Sequence, residues 1–166
     1  MFVPRATEDD RGVFVKSFHE TLFASQGIHF TTREEFYSTS KKDVLRGMHF
    51  QKPPHDHAKL VTCLRGRIQD VLLDLRKNQP TFGHSWAVEL SEQNHQVLYI
   101  PAGLAHGFIA LDGEALVHYK TTSVHNPEND VGILWDSFDF TWPVKHPILS
   151  KRDLSFPRWR ETESPF

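Results

Sequence analysis

Cysteine is almost absent from this chain. The one example among 166 residues is Cys63, in an apolar run that indicates a buried strand. A single cysteine cannot form a disulfide within its own chain, which is typical of proteins in a reducing compartment. Long apolar runs are missing as well, because residues 1–12 hold no segment of signal-peptide length and no later run approaches a membrane span. We therefore expect a cytoplasmic protein with no membrane partner.

An excess of charge of either sign is also lacking. The formal net charge is −2 and the isoelectric point is near 6.6. Proteins that bind nucleic acid through bulk charge are usually far from neutral, so we expect no nucleic-acid partner. The length fits one domain, and no linker-like break divides residues 1–166.

Short apolar runs between turn-forming residues make up most of the chain. A helix is predicted over residues 19–27, and the proline-rich segment after Asp136 is expected to wrap the surface as loops and short turns. Gly66 and the sequence DGE are expected to turn the chain. The pattern predicts an all-β sandwich or barrel, whose mouth could hold one ligand. The predicted strands cover residues 13–18, 59–66, 67–76, 84–90, 96–101, 107–111 and 115–122.

Residues 44–61, VLRGMHFQKPPHDHAKLV, are dense in histidine, arginine and lysine. One interpretation is metal, because cupin barrels that bind a metal use His-x-His, a carboxylate a few residues on, and a later histidine. His55, His57 and PAGLAH at 101–106 resemble that pattern. Residues 60–63 are Leu-Val-Thr-Cys where the carboxylate should stand, and a site that lacks one ligand is weak. We therefore predict no metal and expect His55 and His57 to be exposed loop histidines.

The same stretch also permits proton chemistry. Histidine has an ordinary pKa of about 6.5, which suits a general base near neutrality. Arg46 and His49 are three residues apart, so a bulge or local twist is needed to bring both into one pocket. Lys59 and His106, with Arg46, could bind a phosphate-bearing ligand at the barrel mouth. The residues alone leave the metal, phosphate and proton-transfer interpretations open.

Six blocks of sequence, in a fixed order, resemble one known family. Their order and spacing over residues 11–157 are similar to those of the nucleotide-sugar 3,5-epimerases. The resemblance implies an all-β, cupin-like jelly-roll barrel with short helices, no metal and no cofactor, usually as a homodimer. It also implies a nucleotide-linked 4-keto sugar as substrate, in the synthesis of surface polysaccharides. The blocks are VLRGMHFQ, AKLVTCLRGRIQDVLLDLR, PTFGHSW, LYIPAGLAHGFIAL, YKTT, and GILWD followed by ILSKRD.

The resemblance implies catalytic roles for three residues. His49 corresponds to the family's base, Asp153 to the carboxylate that orients it, and Tyr119 to the acid on the opposite face of the sugar. These roles fit the chemistry, because removing a proton from C3 or C5 of a 4-keto sugar gives an enolate with its charge on O4. Without the resemblance, Tyr119 would be interpreted as a strand aromatic in the core.

The resemblance also implies that seven further residues bind substrate. Arg11 corresponds to an arginine that reaches the phosphates, and Lys59 and His106 correspond to residues close to the reacting sugar. Asp130 stands for the family's usual glutamate and Arg152 for a lysine, so both charges are kept. The full set is Arg11, Arg46, Lys59, His106, His125, Asp130 and Arg152.

Departures from the family cluster on the nucleotide side. Lys16 replaces an acid, His125 replaces a tyrosine that stacks on the base in the type members, and EEFYS at residues 34–38 replaces QDNHS. The catalytic positions match and these do not. We therefore expect the same reaction on a GDP- or CDP-linked sugar in place of a dTDP-linked one, on either a 6-deoxyhexose or a heptose.

Three alternatives stay open. A 3,4-keto-isomerase would move the carbonyl of a similar substrate. A non-catalytic barrel that binds sugar nucleotides would keep Arg11, Arg46 and Lys59 but would need no acid–base pair. A metal-dependent cupin is the third. The presence of both His49 and Tyr119 favours epimerisation, at C3, C5 or both.

Overall fold

Long antiparallel strands form most of the fold, which a computed structural model describes over residues 1–166. Seven strands share one sheet with the main order β6-β5-β8-β4-β9, while β3 also pairs with β8 and β7 with β5. The remaining two strands, β1 and β2, form a separate hairpin. The strands are β1 (Ala6–Asp9), β2 (Gly12–Val15), β3 (Glu34–Ser40), β4 (Leu45–Gln51), β5 (Lys59–Asp74), β6 (Ser85–Ser91), β7 (Val97–Ile100), β8 (Leu104–Thr121) and β9 (Asp130–Gly132). The helices are α1 (Glu20–Ser25), α2 (Lys151–Leu154) and a 3-10 turn at Trp159–Glu161.

The central strands β5 and β8 are continuous where the sequence predicted breaks. The predicted turn at Gly66 is wrong, because this residue lies within β5 at φ +77°, amid register shifts that run from Cys63 to Ile68. A Cβ at Gly66 would lie 2.7 Å from the Glu114 carbonyl, so the glycine marks a bulge where two backbones approach closely. The predicted break at DGE, residues 112–114, is likewise part of β8.

Apolar side chains pack on both faces of the sheet. Along β5, Leu72 belongs to one buried cluster, whereas its neighbours Val71 and Leu73 belong to another. This alternation follows from the two-residue period of a strand. The second cluster is closed by Phe138 and Trp142 from the C-terminal segment. Burial on both sides explains why residues 71–73 of β5 are three consecutive apolar residues.

The C-terminal segment covers the outer face of the sheet with loops and short turns, as predicted. Its four-residue helix α2 is capped by Ser150, whose hydroxyl accepts a hydrogen bond from the Asp153 N–H at 3.0 Å. The cap fixes the turn that carries Asp153. The predicted helix over 19–27 is present as the shorter α1. No helix in the chain is long and apolar enough to cross a bilayer.

Strand β3, which the sequence did not predict, places the segment EEFYS beside β8. Phe36 lies directly opposite Tyr119 in the pairing register. Alternate residues of a strand face opposite sides, so Glu34 and Phe36 share one side. Glu35 faces the other, where its carboxylate lies 2.7 Å from His118. The segment that departs from the family therefore contributes two side chains to the inner side of the barrel mouth.

Candidate active site

A histidine–aspartate pair stands at the mouth of the barrel. Nε2 of His49, on β4, lies 2.8 Å from Oδ1 of Asp153, in α2. Burial alone would raise the pKa of the Asp153 carboxyl, but hydrogen bonds from His49 and from the Gly47 N–H lower it below its ordinary value. The carboxylate is therefore ionised at neutral pH. It holds the imidazole in one orientation.

The His49 side chain, 29% exposed, borders a polar cavity of about 300 Å³. Residues of six segments line it, so the site depends on the assembled barrel and on no single motif. The cavity is lined by Glu34, Phe36, His49, Phe50, Gln51, His57, Lys59, Thr121, His125 and Asp130.

Lys59 supplies a cation to this cavity. Burial lowers the pKa of its ammonium to about 8, although the carboxylates of Asp130 and Asp70 offset part of that effect. No carboxylate lies within ion-pair distance of the ammonium. An unpaired ammonium that faces a cavity is suited to an anionic ligand.

Arg46 borders a second cleft that meets the first at His49. The pairing register of β4 shifts between Arg46 and His49, which supplies the irregularity that the sequence required. The Arg46 guanidinium donates to the Ser40 hydroxyl and to the Thr39 carbonyl, both at 2.9 Å. The cleft also includes Arg152, so two of the predicted cations lie beside the histidine.

A second histidine–carboxylate pair lies deeper in the barrel. His106, on β8, places Nε2 2.7 Å from Oδ2 of Asp70, on β5, and both side chains are buried. Burial lowers the pKa of His106, and the neighbouring Asp70 carboxylate offsets only part of that change. The other Asp70 oxygen is buried without a hydrogen-bond partner. Sequence reasoning named His106 but missed Asp70, whose signal was a carboxylate inside the apolar run of β5.

Tyr119 is 7% exposed and does not border the cavity. Its ring is stacked on Phe36, with centroids 4.7 Å apart and planes 16° apart, and meets His106 edge-on at 6.2 Å. Burial raises the pKa of the Tyr119 hydroxyl far above its ordinary value, so the group is a neutral proton donor at physiological pH. Phe36, which sequence reasoning did not single out, stacks on this ring and also lines the cavity.

Three predicted binding residues form one charged cluster at the mouth. Asp130 accepts from Arg152 at 2.8 Å and lies 3.1 Å from His125 Nε2. The His125 backbone N–H donates to the Glu34 carboxylate at 2.5 Å. Arg152 and Asp153 are consecutive in α2, so this cluster and the His49 pair share one short helix.

Arg11 is not brought to the cavity of its own chain. It lies in the turn of the β1–β2 hairpin, 89% exposed, and its guanidinium pairs with Asp9. The other nine predicted site residues are distributed over the cavity, its adjoining cleft and the buried layer behind it.

The loop histidines correct a prediction. His55 and His57 were expected to be exposed, but both are half-buried. His57 Nδ1 lies 3.0 Å from the Ser123 hydroxyl, and burial lowers the pKa of the ring to about 3. The structure therefore adds His57 to the cavity wall, where its proline-rich sequence context had hidden it. No group of three or more His, Cys, Asp or Glu side chains is placed to hold a metal ion together.

A mostly β chain with a polar, cation-bearing cavity at its mouth defines a cupin-like barrel, the predicted fold class. The chain belongs to the dTDP-4-dehydrorhamnose 3,5-epimerase family, whose family model matches residues 1–161. The Shigella flexneri dTDP-4-dehydrorhamnose 3,5-epimerase is 40% identical over 160 residues, covering 93% of this chain and 87% of that protein.

Solved structures agree. The dTDP-4-dehydrorhamnose 3,5-epimerase of Bacillus anthracis, crystallised with TDP and PPi, has a TM-score of 0.91 at 37% identity, covering 93% of this chain and 90% of that one. A 3'-monoepimerase of Streptomyces bikiniensis, in complex with dTDP-quinovose, has a TM-score of 0.87 at 28% identity, covering 93% and 80%. These comparisons confirm the predicted family, the fold class and the assignment to the sugar epimerases, which are isomerases.

Proposed function

We propose that this protein is a single-domain epimerase that inverts C3, C5 or both in a nucleotide-linked 4-keto sugar. The observation that carries the proposal is the His49–Asp153 pair at the cavity wall, with its carboxylate ionised and 2.8 Å from the imidazole. A histidine oriented in this way is a suitable base for a carbon acid next to a carbonyl.

The proposed reaction begins with proton transfer from C3 or C5 to His49. The electron pair of the C–H bond moves into the ring as an enolate, whose charge collects on O4. The Lys59 ammonium stabilises that charge, and Asp153 stabilises the imidazolium. Tyr119 then donates its proton to the opposite face of the same carbon, and solvent returns both protein groups to their starting protonation states. No redox cofactor enters this balance.

Cations beside His49 support recognition of a diphosphate. Arg46 and Arg152 border the cleft that adjoins the cavity. Arg11 lies on an exposed hairpin and does not reach the cavity of its own chain. We therefore propose that the active protein is a homodimer and that Arg11 serves the phosphates in the partner's site.

Residues that depart from the family support a change of nucleotide. Glu34 and His125 both line the cavity, and the His125 backbone N–H donates to the Glu34 carboxylate, so the two departures form one structural unit. A fixed carboxylate there can accept a hydrogen bond from the exocyclic amino group that guanine and cytosine carry and thymine lacks. We propose a GDP- or CDP-linked 6-deoxyhexose or heptose. The proposed setting is cytoplasmic synthesis of sugars for capsule or lipopolysaccharide.

One observation favours a second candidate, a 3,4-keto-isomerase. Tyr119 does not border the cavity, and a reaction that returns the proton on the same face needs no acid behind the sugar. Such an enzyme would still use His49 and an enolate. It would differ by returning the proton to C4, so that the carbonyl moves from C4 to C3.

The test uses dTDP-, GDP- and CDP-linked 4-keto sugars, both 6-deoxyhexoses and heptoses, in deuterated water, followed by proton and carbon NMR. The proposal expects deuterium and inversion at C3, C5 or both with one nucleotide, and an unmoved carbonyl. A new carbonyl position would establish the keto-isomerase. Turnover of the dTDP-linked sugar alone would overturn the proposed change of nucleotide. If no sugar exchanged deuterium faster than the His49→Ala background, the epimerase proposal would be overturned.

A further inference from the structure

The ring of Tyr119 is held from two sides. Phe36 stacks on one face at 4.7 Å, and His106 presents its edge to the ring at 6.2 Å. The stack follows from strand pairing, because Phe36 and Tyr119 are directly opposite each other on β3 and β8. His106 is itself held by Asp70 at 2.7 Å. Of these two rings, Phe36 is the one that also lines the cavity.

Phe36 contributes an aromatic face to a cavity whose other lining residues are mostly polar. Apart from the buried Phe50 it is the one apolar residue of the lining, and 43% of it is exposed. Exposing so much of an aromatic ring forfeits hydrophobic free energy. The asparagine of QDNHS, which stands at this position in the type members, would not incur that loss. An asparagine, however, has no ring to stack on Tyr119. The stack is therefore the property that distinguishes this residue.

We propose that Phe36 is a positioning residue for Tyr119 and thereby sets how much proton exchange ends in inversion. This inference rests on the proposed function, in which His49 removes the proton and Tyr119 returns one from the opposite face. A fixed ring delivers its proton to one point above the sugar. A loosened ring delivers it less often before His49, whose proton exchanges with solvent, returns a proton to the original face. Phe36 acts through Tyr119 and carries no chemistry of its own.

The experiment compares Phe36→Leu, Phe36→Tyr and wild-type protein with the turned-over sugar in deuterated water. Leucine keeps the site apolar but removes the stack, and tyrosine restores it. Phe82→Leu is the matched control, because Phe82 is 40% exposed and contacts Trp159, away from the cavity. For each protein, NMR gives the rate of deuterium exchange and the rate of inversion at the same carbon.

The expected result is a fall of about fivefold in the ratio of inversion to exchange for Phe36→Leu, with recovery in Phe36→Tyr and no change in Phe82→Leu. Exchange within the same sample reports an intact base and fold, so general damage would lower both rates together. An unchanged ratio would overturn the inference. A rise in the ratio would also overturn it, since it would mean that Phe36 obstructs Tyr119.

A second readout needs no turnover. The ring-flip rate of Tyr119, identified among three tyrosines by comparison with Tyr119→Phe, is measured by NMR without substrate. Phe36→Leu is expected to speed the flip by about tenfold. If wild-type protein exchanges no proton, the proposed function fails, and this rate still decides whether Phe36 holds Tyr119. Equal flip rates in both proteins would contradict the inference.

Discussion

Two histidine–carboxylate pairs of nearly equal geometry lie in different surroundings in this barrel. The mouth pair, His49 and Asp153, is separated by 2.8 Å and borders the cavity. The inner pair, His106 and Asp70, is separated by 2.7 Å and is enclosed by the core. Their geometry alone would suit both pairs to the same chemical role, but their environments differ.

Solvent access decides what each pair can do. Burial lowers the pKa of His106, so its ring stays neutral at physiological pH and serves as a fixed, oriented group. The imidazole of His49 meets the cavity, where a bound sugar can give it a proton and solvent can remove that proton. A hydrogen-bonded histidine is therefore a candidate base only where the reacting atom can reach it.

Among the predictions for the inner residues, the largest loss of inversion is expected for Tyr119→Phe. Loss of the hydroxyl should lower inversion by about 10²–10³-fold while deuterium exchange continues, because His49 alone can remove a proton and return it to the same face. NMR of the product in deuterated water separates the two rates. Full inversion in this variant would move the acid role to another residue.

Replacement by asparagine should affect mainly activity at Asp153 and mainly stability at Asp70. Asp153→Asn should lower kcat by about 100-fold with a small loss of stability, because the mouth imidazole loses the anion that stabilises its charge. Asp70→Asn should lower kcat by only about tenfold but reduce the free energy of unfolding by about 2 kcal/mol, because it disturbs a buried hydrogen bond. Steady-state kinetics and urea unfolding on both proteins measure this crossover. Similar profiles for the two variants would erase the proposed distinction.

Lys59 should give activity an alkaline limit. Its pKa is lowered to about 8, so the ammonium is charged below that pH and the favourable charge on the cavity wall is lost above it. The ratio kcat/KM should fall by about tenfold per pH unit above pH 8. Lys59→Arg should remove that limb, since a guanidinium stays charged, whereas Lys120→Arg on the outer face should keep it. If kcat/KM of Lys59→Arg still fell above pH 8, the titration would belong to another group.

The smallest effect concerns His57 and stability. Its pKa is about 3 in the folded chain against 6.5 ordinarily, so its contribution to stability is complete above pH 6.5 and is lost as the pH falls toward 3. At pH 5 the loss should be about 1–2 kcal/mol after allowance for partial exposure. Urea unfolding at pH 7.5 and 5 should show that His57→Gln loses less stability than wild type, with the exposed His84→Gln as control. Equal losses in His57→Gln and wild type would refute the assignment.

The sequence predicted the family, the β architecture and four of the ten residues that line the cavity. It did so because ordered motifs such as RGMH and SKRD survive as short local patterns, even where the chain brings them together from 104 residues apart. The partners that it missed depend on register. Asp70 meets His106 only because β5 and β8 run unbroken past Gly66, where local turn chemistry predicted a stop.

Other differences arise from packing that no local pattern encodes. His57 looked like a solvated loop residue close to two prolines. It is enclosed by the Gln51 side chain from the end of β4 and by the Ser123 side chain, which is 66 residues away in sequence. Phe36 lay in a segment with no predicted strand, so its position opposite Tyr119 could not be inferred. Arg11 is the opposite case. Its motif predicted a binding residue, but the chain does not bring it to its own cavity.

The most direct test of the central claim measures deuterium wash-in at C3 and C5 for His49→Ala and His106→Gln side by side, with His84→Ala as control. The account predicts a loss of about 10³-fold or more at both carbons in His49→Ala, with little change in unfolding free energy. It predicts a loss of only about tenfold in His106→Gln, because the inner histidine orients and does not take the proton. Near-normal exchange in His49→Ala, or complete loss of exchange in a folded His106→Gln protein, would contradict it.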